Sequence, residues 1–217
     1  MTIKQILLSL TFALVALIVL LSGQTLLKSW DNYQKDVFAE QTNPIVEQLL
    51  TAAGHWAVER GATNSALAYP KKVPDNMKVI IMERREKADA AYSAALGMLV
   101  SVEFEGREQL LSDTQARYEE VLAMREGVDK NIQKSKIARS NKVMKAWVPT
   151  MSTLILTSQE LRYAVGGIVS EIDPQLATQI QMQHFSWVMS EYAGRERAII
   201  GGMLSANTAL NLSLIHI

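Results

Sequence analysis

The 217-residue chain contains no cysteine. A disulfide framework, a thiol nucleophile, a cysteine-ligated zinc or iron–sulfur site and an attached c-type haem are therefore excluded. Aromatic residues make up only 6% of the chain, and no segment alternates in the way a half-buried strand requires. There is no charge of one sign to spare: Lys+Arg and Asp+Glu both number 22, which argues against a general basic surface for nucleic acid. A phosphate-binding loop, a dinucleotide fingerprint and a serine-centred nucleophile elbow are all missing. No catalytic residue and no cofactor is assigned, and the chain alone does not read as an enzyme. His55 and Glu59 stand at i, i+4 spacing, but zinc sites use three or four protein ligands and no third is apparent, so no metal site is assigned.

What the chain has is helix-forming sequence, 48% hydrophobic and rich in alanine, leucine and methionine. Ile6 to Leu21 is an apolar run, with Lys4 before it and Lys28 after. Extended through Leu27, the segment reaches the ~20 residues a membrane-spanning helix needs. Ser22-Gly23-Gln24 is a poor signal-peptidase site, so an uncleaved anchor over residues 1–27 is expected in preference to a cleaved leader. Lys4 and the terminal amine favour a cytoplasmic N-terminus. Residues 28–208 are then an extracytoplasmic, periplasmic domain of a protein anchored in a bacterial inner membrane.

Helical spacing dominates this domain. Ile45, Leu49, Ala52, Trp56 and Leu67 share one side of a first long helix, in which Asn43-Pro44 marks a kink or restart. Ala68–Asp75, with two prolines and two lysines, reads as a turn. A second helix runs to about Val102, with a break at Phe104–Gly106. A third spans about Arg107 to Gln133, and a fourth runs from near Ile137 to Glu171, with Val148-Pro149 as a kink or restart. Asp173-Pro174 caps a last helix that reaches about Asn207. The fold class is all-α: an N-terminal transmembrane helix followed by an antiparallel helical bundle with long helices and short connections. The charged run Met82–Ala90 reads as a solvated helix face, and the methionines mostly as core fillers.

The segment Glu191–Ile200, EYAGRERAII, places charge inside this apolar pattern. On the helical stripe of Arg197 lie Ser190, Gly194 and Gly201, all small. Phe185, Val188, Met189, Tyr192, Ile199 and Met203 on the flanking stripe read as core. Arg60 has a matching environment, with Ala53, Ala57 and Asn64 on its stripe and Gly61 beside it. If the first and last helices are neighbours, Arg60 and Arg197 can meet. Two guanidinium forks in a partly dry site suit a small planar or tetrahedral oxyanion. Arg195 points about 160° from Arg197 and is expected to be supporting or exposed. The competing reading makes the arginines members of interhelical Arg–Glu pairs, with Glu59 and Glu196 as the adjacent acids.

Glu59-Arg60-Gly61 with Thr63 and Asn64, and Gly194-Arg195-Glu196-Arg197-Ala198, resemble the two arginine motifs of nitrate- and nitrite-sensing domains. The wider stretch His184–Leu204 resembles sensor regions of bacterial methyl-accepting chemotaxis proteins. The resemblance implies an anion contacted by Arg60 and Arg197, with Arg195 less directly involved, and a nitrate- or nitrite-like ligand. Asn64 and Gly194 complete the candidate site. A homodimer is also implied, as is contact with cytoplasmic signalling proteins only through further C-terminal domains. The chain is accordingly expected to be the front of a longer receptor. Residues 209–217, whose SLIHI ending looks like adapter read-through, are given no function. The runners-up are a structural or protein-interacting ectodomain, and the sensor of a histidine kinase or cyclic-dinucleotide enzyme.

Overall fold

A computed structural model describes residues 3–172 and 174–207. All regular structure among them is helical: α1 Ile3–Ala68, α2 Asp75–Leu99, α3 Arg107–Ile132, a short 3-10 turn Lys136–Ala138, α4 Asn141–Ile172 and α5 Pro174–Ser205. The expected Asp173 cap and the 209–217 tail lie outside the described residues. Two compact units are present, residues 1–41 and 42–217. In the first, α1 exposes large apolar side chains from Ile3 to Leu27, and it is long and apolar enough to cross a membrane.

In the second unit the helix ends fall where the punctuation residues stand. Gly106 precedes α3 in the left-handed region, φ 74°, where a Cβ is strained. Pro74 precedes α2 in extended geometry. Pro44 and Pro149, by contrast, lie inside α1 and α4, which continue through them rather than restarting. A proline removes a donor and crowds the preceding turn. Burial of the flanking Ile45 and Val46 in α1, and of Trp147 and Met151 in α4, offsets that cost.

The core of this unit is built on α1. Ile45, Leu49, Ala52, Trp56 and Leu67 are all buried, as their spacing predicts. Trp56 meets Tyr92 of α2 and Tyr118 of α3 at ring-centroid distances of 5.3 and 6.1 Å, and the two tyrosines meet at 4.9 Å. Paired positions give the helix directions. Trp56–Tyr92 with Glu59–Arg85 makes α1 and α2 antiparallel, and Arg85–Asp129 with Asp89–Arg125 does the same for α2 and α3. Tyr163–His184 with Arg162–Trp187 makes α4 and α5 antiparallel. Between α1 and α5 the order is the same in both helices, Arg60 with Glu191 and Asn64 with Ala198, so these two run parallel.

The expected inner face of α5 is corrected. Phe185, Met189 and Tyr192 are exposed rather than core, and Glu191, Ala198 and Gly202 are buried in their place. The reason is the small-residue seam. An added Cβ at Gly202 would stand 2.6 Å from the Asn64 amide nitrogen, and one at Gly201 2.9 Å from the Ser65 hydroxyl. The helices approach so closely that only small residues fit between them, and the bulky side chains face outward. Of the methionines, Met151 is core, whereas Met82, Met182 and Met189 are exposed.

Candidate functional site

Arg60 is fully buried on α1, at 0% exposure. A buried guanidinium requires a partner, and Glu191 of α5 supplies it. Arg60 Nη1 donates to Glu191 Oε1 at 2.6 Å and Nη2 to Oε2 at 3.1 Å, the two-pronged geometry in which the planar fork matches a carboxylate. Nη1 also reaches the Ser152 hydroxyl of α4 at 3.0 Å. Trp147 of α4 donates its indole N–H to the Arg60 carbonyl at 3.0 Å and ties down the backbone behind the side chain. Arg195, one turn along α5, donates Nε to the same Glu191 oxygen at 2.7 Å, and its guanidinium lies 5.5 Å from the centre of the Tyr192 ring. Two arginines thus share one carboxylate, leaving one positive charge in excess, and Arg60 Nε is buried without a partner among the described residues.

Beside this cluster, a groove of about 340 Å³ runs between α1 and α5. Gly61, Ser65, Gly194, Arg197 and Gly201 are among the residues that line it. Gly194 forms the wall towards Arg60: a Cβ there would lie 3.5 Å from Arg60 Nη2. Asn64 donates to the Ala198 carbonyl at 2.8 Å and pins α5 to α1. Arg197 is exposed, lines the groove and has no ion-pair partner among the described residues.

Of the residues selected from the sequence, Arg60, Arg195, Asn64 and Gly194 surround the α1–α5 contact, and Arg197 stands on its open side. Arg195, expected to be supporting or exposed, is half-buried and joins Arg60 through Glu191. Sequence reasoning missed Glu191, whose i, i+4 spacing to Arg195 was a usable signal. Glu196 is exposed. Glu59, the residue beside Arg60, faces elsewhere. It is fully buried and accepts hydrogen bonds from Arg85 at 2.8 Å and from Arg125 at 3.0 and 2.7 Å. Arg85 and Arg125 in turn bind Asp129 and Asp89. The run Met82–Ala90 is therefore only partly a solvated face, since Arg85 is 13% exposed and committed to this network. Tyr118 lies against it: burial, and then the nearby Asp89 charge, push its phenol up to about 12. His55 contacts Arg84 at 3.4 Å, and burial, then the Arg84 charge, hold its imidazole below the usual value. Among the described residues no group of three or more His, Cys, Asp or Glu is placed to hold a metal ion.

A protein-family model described as nitrate and nitrite sensing matches residues 52–216. No curated protein and no solved structure matches the chain. The matched span takes in α2 to α5 and the part of α1 that carries Arg60, well over half of the sequence, and the chain therefore belongs to the nitrate and nitrite sensing family.

Proposed function

We propose that this chain is the extracytoplasmic sensing region of a transmembrane chemoreceptor, and that it takes a small planar anion, nitrate or nitrite, between α1 and α5. The observation that carries the reading is the Glu191 carboxylate, held by Arg60 and Arg195 at a nearly dry helix contact. A carboxylate presents two oxygens on a planar centre, as nitrite does and as one edge of nitrate does. Arg60 and Arg195 are thus already arranged around an oxyanion. In the proposed exchange, an anion enters the groove at Arg197, passes Gly194 in its wall and displaces Glu191 from Arg60, while Asn64 keeps α5 against α1 through the Ala198 carbonyl. Replacing a carboxylate tethered to α5 by a free ion changes what holds α5 against α1. The ligand shifts the helix arrangement by its differential affinity for the two states. The second unit is read as an antiparallel bundle, and the apolar start of α1 as an inner-membrane anchor that leaves the bundle in the periplasm. A homodimer with further C-terminal signalling domains completes the reading.

A second reading, a helical ectodomain with fixed salt bridges, draws on Arg60 being already paired and fully buried. Calorimetry on the chain in detergent separates the two. The sensing reading expects saturable binding of nitrate or nitrite, weakened in Arg60→Ala and in Arg197→Ala. Arg197 is exposed, so its variant keeps the fold intact. Wild type that binds neither ion, or two variants that bind as wild type does, would leave the salt-bridge reading standing.

A further inference from the structure

We infer that Trp30 and Tyr33 on α1 form an interfacial anchor, a pair of rings seated in the headgroup and carbonyl layer of a phospholipid bilayer. The inference rests on the reading that the start of α1 spans a membrane. Both rings are exposed, 64% for Trp30 and 58% for Tyr33, and their centroids lie 6.1 Å apart. A spacing of three residues puts them on one helix face. Leu26, one turn before Trp30, continues the stripe back into the apolar run and is itself exposed. Large side chains exposed along one stripe mark a contact surface.

The flanking sequence identifies the partner. No charged residue stands between Lys4 and Lys28. At ~1.5 Å per residue these lysines are about 36 Å apart, enough to clear the ~30 Å hydrocarbon core. Within the run, the Thr11 and Thr25 hydroxyls donate to the Leu7 and Leu21 carbonyls at 2.9 and 2.8 Å, so they need no water. Trp30 and Tyr33 leave the helix about 3 and 8 Å beyond Lys28 along the axis. Helix side chains lean towards the N-terminus, so both rings lean back towards the apolar run. That sets them in the polar layer, ~5–7 Å deep on each side of the core. Indole and phenol suit this layer, because each joins an apolar body to a polar tip. Packing between two membrane helices favours small residues that let the backbones approach. This stripe carries Leu26, Trp30 and Tyr33 instead, so its occupant is lipid rather than a second copy of the chain.

The test is tryptophan fluorescence of the full chain in phosphatidylcholine vesicles. Nitroxide quenchers are placed in the headgroup, near the chain carbonyl or near the chain end. The other tryptophans, Trp56, Trp147 and Trp187, lie in the second unit. Wild type is expected to be quenched most by the headgroup and carbonyl labels and least by the chain-end label, and Trp30→Phe to lose most of that quenching. Because the chain has no cysteine, Ser29→Cys gives a single thiol beside the pair. Its reaction rate with a membrane-impermeant maleimide is expected to change several-fold when Trp30→Ala and Tyr33→Ala are added, since the helix is then no longer held at one depth. All three positions are exposed, so these variants keep the fold. Chain that floats with the vesicles but is not quenched overturns this inference alone, and shielding of the rings by a second copy would give that result. Quenching that persists in Trp30→Phe, quenching strongest at the chain end, or an unchanged maleimide rate overturns it too. Chain that does not float overturns both this inference and the membrane-spanning reading beneath it.

Discussion

Replacing Glu191 by glutamine removes the counter-charge of Arg60 while keeping the side-chain size. In the folded chain the pair is dry, with side-chain exposures of 0% for Arg60 and 3% for Glu191. Taking one partner from such a pair costs about 3–5 kcal/mol, because the other charge stays buried. For a chain of this size each kcal/mol moves the melting temperature by about 2–4 °C, so Glu191→Gln should melt roughly 6–20 °C below wild type. The proposed exchange then makes a second, less obvious demand. With its tethered competitor gone, the arginine pair should take nitrate more tightly than it does in wild type. Ligand at a hundredfold excess over its Kd adds about 2.7 kcal/mol, which restores roughly 5–11 °C of the loss. The assay is calorimetric melting in detergent with sodium nitrate, against sodium chloride at the same ionic strength to remove general screening. The reasoning is refuted if Glu191→Gln melts with wild type, or if nitrate stabilises wild type more than it does the variant.

Other perturbations test the scaffold. Arg139 is buried and donates to the carbonyls of Ala66, Leu67, Tyr69, Lys71, Asn131 and Lys134, closing the ends of α1 and α3. Arg139→Ala should cost at least about 3 kcal/mol in urea unfolding, since hydrogen bonds from a charged group contribute about 1.5–3 kcal/mol each. Glu59→Ala should cost about 3–5 kcal/mol by the buried-pair argument, whereas breaking the exposed Arg117–Glu120 pair should cost at most about 1 kcal/mol in the same assay. Gly61→Ala meets only Ala198, at 3.8 Å, and should raise the melting temperature slightly; Gly202→Ala must displace Asn64 from the Ala198 carbonyl and should lower it. His55 is held below its usual 6.5, so between that folded value and 6.5 the unfolded chain binds more protons. Stability should therefore fall as pH drops below about 6.5, and His55→Gln should flatten that slope in pH-dependent melting.

The helix ends were legible because chain punctuation is local. Pro74 and Gly106 act through their own backbone, and the joints follow from them. Pro44 and Pro149 allow a kink or a restart, and only the restart is ruled out: their local cost is real, but buried neighbours carry the helix through. The inner face of α5 was not legible. Spacing identifies stripes, and two were present, one of bulky apolar residues and one of Ser190, Gly194 and Gly201 with charge beside it. Hydrophobicity alone selects the bulky stripe, whereas close approach to α1 buries Glu191, Ala198 and Gly202 and leaves Ser190, Gly194 and Gly201 along the groove. That approach depends on a partner helix 131 residues away in sequence, at Arg60 and Glu191. The partner of Arg60 was hidden likewise. Glu59, Glu191 and Glu196 were all available, and only the parallel run of α1 and α5 makes Glu191 the one that faces it.

That geometry also indicates which element would respond to an anion. Consecutive helix residues point about 100° apart, so Glu59 and Arg60 send opposite charges to different neighbours. Glu59 fastens α1 to α2 and α3 through Arg85 and Arg125, each held again by its own aspartate. Arg60 reaches α4 through Ser152 and Trp147, and α5 through Glu191. The polar ties from α1 to α5 include two at this level, the Glu191 pair and the Asn64–Ala198 bond. Exchange at Arg60 would remove one of these two and leave the α1–α2–α3 network untouched. Under the proposed function, α5 is therefore the moving part and α1 the fixed reference, and a Glu191→Gln substitution should loosen hydrogen-exchange protection in α5 while sparing α2 and α3.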